Sequence, residues 1–116
     1  MKLEYLQTAQ LGVRWFRRYY RKNPQLNLAK AVSALRIAES TLQENPMAGE
    51  RFDDFDAVRE YKINGTAFSL LYTIDRIDKN RILVIDLRDQ RGLRSAEALH
   101  SFVRDLRQRN ENTQKA

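Results

Sequence analysis

Between Val58 and Arg91 the chain reads VREYKINGTAFSLLYTIDRIDKNRILVIDLRDQR, three runs rich in β-branched and aromatic residues separated by two groups of turn-forming residues. The runs are Val58 to Ile63, Phe68 to Ile77 and Arg81 to Leu87. Asn64-Gly65 tolerates the positive φ of a tight reversal, and Asp78-Lys79-Asn80 is polar and flexible enough to make a second one. Together these features predict an antiparallel three-stranded meander.

Successive strand residues point to opposite faces, so alternation sorts the side chains. Phe68, Leu70, Tyr72 and Ile74 share one face of the middle run, and Ser69, Leu71, Thr73 and Asp75 the other. In the third run Leu83, Ile85 and Leu87 oppose Ile82, Val84, Asp86 and Arg88; in the first, Arg59, Tyr61 and Ile63 oppose Val58, Glu60 and Lys62. Helices are expected over the more apolar face, which leaves the mixed face to a ligand.

The rest of the chain supplies those helices. Met1 to Gln7 alternates and is followed by Thr8, which predicts a short edge strand ending at a helix cap. From Ala9 the period becomes helical, with Ala9, Val13, Phe16 and Tyr20 in a stripe beside Gly12 and Tyr19 as far as Lys22. Asn23-Pro24 is a capping residue followed by proline at the first helical position. A second helix follows with Leu28, Ala31, Val32, Leu35, Ala38 and Leu42 as its stripe, ending before Asn45-Pro46. The short link predicts an antiparallel helical hairpin packed on the sheet. Pro46 to Asp56 reads as a loop, Ser95 as the cap of a third helix over about 95–108 with Leu99, Phe102, Val103 and Leu106 as its stripe, and 110–116 as a disordered tail. The expected class is α+β, ordered β-α-α-β-β-β with an antiparallel sheet on a helical hairpin plus a C-terminal helix, in one domain spanning 1–109.

Composition narrows the function classes. A domain of 116 residues buries about 65% of its unfolded surface, enough for a core. No apolar run approaches the roughly 20 residues that cross a bilayer, and the N-terminus does not read as a signal peptide, so a cytoplasmic protein is expected. The absence of cysteine excludes disulfides, thiolate metal sites and thiol nucleophiles. A net charge of +6 favours nucleic acid or an acidic protein as partner. The densest basic cluster, Arg14, Arg17, Arg18, Arg21 and Lys22, reads first as a solvated helix face whose last cations suit the helix dipole, and second as a docking surface for phosphates or acidic side chains.

Catalytic signals are sparse. His100 lies off the apolar stripe of the last helix and reads as an exposed residue rather than a base. Ser69, Ser95 and Ser101 occur in no nucleophile elbow, and Gly65 and Gly92 stand alone rather than in a phosphate-cradling loop. Asp53, Asp54 and Asp56 lack the spacing of a hard-cation site, so no metal and no cofactor are expected. Arg59 falls on the packed face and is expected to be structural, its head paired with the loop from Asp53 to Asp56.

The order strand, two helices, meander, with a Pro-x-x-Gly loop before the meander, resembles the RelE/ParE superfamily of toxins from bacterial toxin–antitoxin pairs. The resemblance covers Met1 to about Arg91 and is carried by Asn45-Pro46-Met47-Ala48-Gly49, Arg59-Glu60-Tyr61, Phe68-Ser69-Leu70-Leu71-Tyr72 and Ile82-Leu83-Val84-Ile85-Asp86-Leu87-Arg88. It implies a small toxin whose active face is covered by an antitoxin. RelE-like members cut messenger RNA in the ribosome, whereas ParE-like members inhibit DNA gyrase without a nuclease site. The nuclease uses Lys and Arg on the open face of the meander to stabilise phosphorane-like charge, with a base or acid to move protons. Carried over, Glu60 and Lys62 stand where that pattern has two lysines, Ser69 stands where it has an arginine, and Arg91, or Arg88 in a shifted register, replaces the final arginine. No tyrosine follows Tyr72.

The resemblance therefore implies a ParE-like toxin acting by binding, with Lys62, Arg88, Arg91 and Arg94 as the contact surface for target and antitoxin. The antitoxin is expected to pair carboxylates with these cations and to add apolar contacts or a strand at the sheet edge, the two proteins assembling together. Two alternatives stay open: a ribosome-dependent mRNA endoribonuclease drawing on Glu60, Lys62, Asp86 and Arg91, and a degenerate member that only binds its antitoxin.

Overall fold

The computed structural model of the chain describes residues 1–52 and 55–90. The expected C-terminal helix and tail, His100, Asp53 and Asp54 lie outside these residues. The elements are β1 (Lys2–Tyr5), α1 (Gln10–Lys22), α2 (Leu28–Glu44), β2 (Glu50–Phe52), β3 (Phe55–Lys62), β4 (Phe68–Ile74) and β5 (Arg81–Asp89), with 3₁₀ turns at Gln7–Ala9 and Pro24–Leu26. They form an α+β fold, with both helices packed on a five-stranded sheet of order β1-β5-β4-β3-β2. The three strands of the meander are β3, β4 and β5, antiparallel as expected. β1 is an edge strand, and it pairs parallel with β5. Among the described residues no helix is long and apolar enough to cross a membrane.

Helical periodicity placed the core correctly. Phe16 and Tyr20 of α1 and Ala31, Ala38 and Leu42 of α2 are buried against Phe68, Leu70, Tyr72, Ile82, Val84 and Leu87 of the sheet. The ring of Phe16 meets that of Phe68 edge-on with centroids 5.0 Å apart, and lies 5.0 Å from the ring of Tyr20. Burial of each such ring contributes about 1.5–3 kcal/mol. α1 comes so close to β5 that a Cβ on Gly12 would overlap Asp86 Oδ1 and sit 2.7 Å from the Leu87 carbonyl oxygen.

The first reversal uses Asn64-Gly65, with Gly65 at φ +78°. The second is held by two carboxylates: Asp75 Oδ1 accepts from the Ile77 backbone N–H at 3.0 Å, and Asp78 Oδ1 from that of Asn80 at 3.0 Å. Asp75 Oδ2 also takes Arg81 Nε and Nη2, and Arg81 Nη1 reaches Glu4 on β1 at 2.9 Å. β4 therefore stops at Ile74, short of the expected Ile77. On the far side of β1, burial and then the Glu39 carboxylate push the ionisation of the Tyr5 hydroxyl far above its usual range.

Four local expectations are corrected. Thr8 does not cap α1; it lies in the 3₁₀ turn, where its Oγ1 donates to the Ile85 carbonyl at 2.7 Å. α2 is capped by Asn27, at φ +46°, whose side chain accepts from the Lys30 N–H; Pro24 instead opens the 3₁₀ turn, and Asn23 Nδ2 donates to the Tyr19 carbonyl. Within the expected loop from Pro46 to Asp56 lie β2, paired antiparallel with β3 through Glu50↔Glu60 and Arg51↔Arg59, and the start of β3. Three residues, two of them charged, show no alternation, yet they suit a short edge strand. Finally, a β-bulge opposite Leu71 and Tyr72 inserts one residue into β5. Alternation therefore resets, so Leu87 joins Ile82 and Val84 under the helices rather than sharing a face with Ile85.

The Pro-x-x-Gly loop is tied to the meander from below. Tyr72 Oη donates to the Pro46 carbonyl at 2.7 Å and accepts from the Gly49 N–H at 2.9 Å, while Arg59 Nη1 donates to the Gly49 carbonyl at 2.7 Å. Arg59 is thus structural as expected, donating to the loop backbone, and its expected pairing with Asp53 to Asp56 falls on side chains outside the described residues.

Two predictions follow from these contacts. Tyr72→Phe strands a buried N–H and is expected to lower the unfolding free energy by about 1–3 kcal/mol in urea titrations. The Ile77 N–H, followed by Arg81, holds the Asp75 carboxyl below its ordinary range. A depressed folded value means that its stabilisation is complete above the ordinary carboxylate range and lost as pH falls through the folded value. The urea midpoint of the wild type should therefore decline more steeply below pH ~4 than that of Asp75→Asn, and parallel curves would contradict the assignment.

Candidate functional site

The cross-strand registers decide which candidate residues meet. Lys62 pairs with Ser69 and Ser69 with Arg88, so the three lie in one row across β3, β4 and β5. Glu60 and Leu71 make the adjacent row of the same face, while Asp86, paired with Leu71 at the bulge, carries its carboxylate to Gly12 of α1. Residues directly opposite in an antiparallel pair project to the same side, here the side away from the helices. Glu60, Lys62 and Arg88 are thus gathered on one face. Arg91 and Arg94 lie outside the described residues.

The face differs from an open platform at its centre. Val58, Leu71 and Ile85 form a second apolar cluster, at most 2% exposed, joined by Leu6 and Phe52. The expectation of a mixed face available to ligand is corrected accordingly, because Ile85 lies on this side together with Val58 and Leu71. The polar end of the face is cross-linked. Arg88 Nη1 donates to Glu60 Oε2 at 2.6 Å, and the Arg88 guanidinium carbon sits 5.1 Å from the centroid of the Phe52 ring. Both side chains of the pair are less than a third exposed, at 27% for Arg88 and 18% for Glu60. Cation–π contact and ion pairing together fix the guanidinium.

Ser69, at the position where the nuclease pattern carries an arginine, is fully buried, and Gln90 Nε2 donates to its Oγ at 3.0 Å and to the Phe68 carbonyl at 3.1 Å. Lys62 is exposed and lines a recess of about 240 Å³ with Ala48, Glu50, Glu60, Tyr61 and Asn64. Asp86 is buried beside Gly12 of α1, so its carboxylate belongs to the packing of the helix on the sheet. Among the described residues no group of three His, Cys, Asp or Glu is placed to hold a metal.

Three contributors were invisible to sequence reasoning. Phe52 lies on the unrecognised β2, Gln90 follows the last strand, and Trp15 donates its indole N–H to the buried Asp89 carboxylate at 3.0 Å. A polar residue at the end of a buried strand was the only cue to Asp89. Chemically, the arrangement presents an exposed ammonium at the rim of a face whose carboxylate is already committed to a guanidinium.

The Glu60–Arg88 pair should show a coupling energy of about 0.5–3 kcal/mol in a double-mutant cycle with Glu60→Gln and Arg88→Gln, read by urea unfolding, whereas a cycle between Glu60 and the exposed Lys62 should lie near zero.

Compared with protein-family models and with curated proteins, the chain matches none.

Proposed function

We propose that the chain is the toxin of a type II toxin–antitoxin pair of the plasmid-stabilisation kind, ParE-like, arresting growth in the cytoplasm by binding DNA gyrase and neutralised by a cognate antitoxin. The resemblance in element order and in the segments around Pro46, Arg59, Phe68 and Ile82 motivates the family. The observation that carries binding over catalysis is the state of the polar face: Glu60 is held by Arg88 at 2.6 Å, and Ser69 is buried where a nuclease would present an arginine. A general base must be within reach of the proton it takes, and a cation must face the charge it stabilises. Neither Glu60 nor Arg88 is available on those terms.

Lys62, exposed at the end of its row, Arg91 and Arg94 are the proposed contacts to target and antitoxin, and Arg88 would join them by exchanging Glu60 for a partner carboxylate. Acidic side chains of the antitoxin would pair with them. A strand of the antitoxin would add along an edge of the sheet.

The test is the purified chain added to a gyrase supercoiling reaction and, separately, to a translation mixture. Blocked supercoiling with intact transcripts is expected, and charge reversal by Lys62→Glu with Arg91→Glu and Arg94→Glu should weaken inhibition and antitoxin binding by roughly tenfold or more. Cleaved transcripts would place the chain with the nucleases instead. Unchanged growth on controlled expression would favour a member that only binds its antitoxin.

A further inference from the structure

The excess charge of this protein resides in its helical layer. Between Tyr5 and Ala38 stand seven Lys or Arg and no Asp or Glu, so the remaining residues, with fourteen Lys and Arg against fifteen Asp and Glu, sum to −1. The sheet's described ion pairs, Arg81 with Asp75 and Glu4 and Arg88 with Glu60, are neutralised locally. The seven helical cations, Arg14, Arg17, Arg18, Arg21, Lys22, Lys30 and Arg36, are all exposed, and none is ion-paired among the described residues. An ordinary solvated helix face intersperses carboxylates at i±4, which lowers self-repulsion. Here nothing does.

Geometry makes this a surface rather than a tally. With 100° per residue, Arg14, Arg17, Arg18, Arg21 and Lys22 fall within about 140° of the circumference of α1. That arc is opposite Phe16 and Tyr20, which anchor the helix to the sheet. Arg14 and Arg21 are about 10 Å apart along the axis, a span of about three phosphates on one strand of duplex. The breadth of the arc separates Arg17 from Lys22 enough to address both walls of a groove about 12 Å wide, the major groove of B-form DNA. Four of the five are arginine, whose planar fork pairs with phosphate through two parallel hydrogen bonds.

We infer that the exposed face of α1 docks the phosphodiester backbone of duplex DNA, independently of sequence and on the opposite side of the molecule from Lys62 and Arg88. The inference does not rest on the toxin reading. An unbroken field of one sign favours DNA over an acidic protein, since protein partners carry both signs and their surfaces usually mirror them. A-form duplexes present a deep, narrow major groove and fit the broad arc poorly. Within the proposed function this face would let the chain meet gyrase on its DNA.

The test is fluorescence anisotropy of the full chain with a labelled mixed-sequence duplex of about 20 bp. With about four phosphates neutralised, affinity should fall roughly 100-fold between about 50 and about 200 mM salt. Arg14→Gln, Arg18→Gln and Arg21→Gln together should reduce the log–log salt slope by about 3 and weaken binding by roughly tenfold or more. The matched-charge control Lys2→Gln, Arg76→Gln and Lys79→Gln, at exposed positions on β1 and the β4–β5 turn, should stay within about twofold. Replacement of the three arginines by lysine should retain the salt slope. Equal loss in the control would mean attraction by net charge alone and overturn the inference. So would equally tight binding of a duplex RNA, or of an acidic peptide that displaces the DNA.

Discussion

The structure depends on α1 lying against β5 with no helix side chain at the point of closest approach. Gly12 permits the approach, and contacts on either side fix it: Thr8 Oγ1 with the Ile85 carbonyl just before the helix, and the Trp15 indole with the Asp89 carboxylate one turn on. Position and rotation of the helix are then both determined. Phe16 and Tyr20 face Phe68, and the arginines between them are exposed. The cost is two carboxylates, Asp86 and Asp89, taken out of solvent. Burial of a charge is tolerated when hydrogen bonds replace its water, and the indole N–H supplies one such bond to Asp89.

A single inserted residue in β5 sets the character of both faces of the sheet. Because of the bulge, β5 gives Ile82, Val84 and Leu87 to the helical side and Ile85 to the other. The middle of the sheet is consequently apolar on both sides, and its ionic groups are displaced to the ends: Arg81 with Asp75 and Glu4 at one, Arg88 with Glu60 at the other. Locally paired charges on the sheet and an uncompensated α1 make the molecule electrostatically two-sided.

Much of this was legible from residue spacing. The three runs from Val58 to Leu87 became β3, β4 and β5, the apolar stripes of both helices became the core, and Glu60 and Lys62 share a face as alternation predicts, whereas Arg88 joins them only through the bulge, since strict alternation sets it with Ile82 and Val84. What was missed shares a cause. β2 is too short to show a period, the bulge is a matter of counting one residue against a partner strand, and Asn27 caps α2 after a 3₁₀ turn that no periodicity announces. Ion pairing was equally hidden: Arg88 read as a free cation until the register set it diagonal to Glu60.

The parallel pairing of β1 with β5 carries a consequence for biogenesis. Lys2 is translated well before its neighbour Arg81, which is delivered only after both helices and most of the sheet have been made. Contacts so distant along the chain form late and slow the folding of the whole. During translation the meander and the helical pair can assemble from local contacts, with the free edge of β5 waiting for the earlier-made β1 to return and close the sheet.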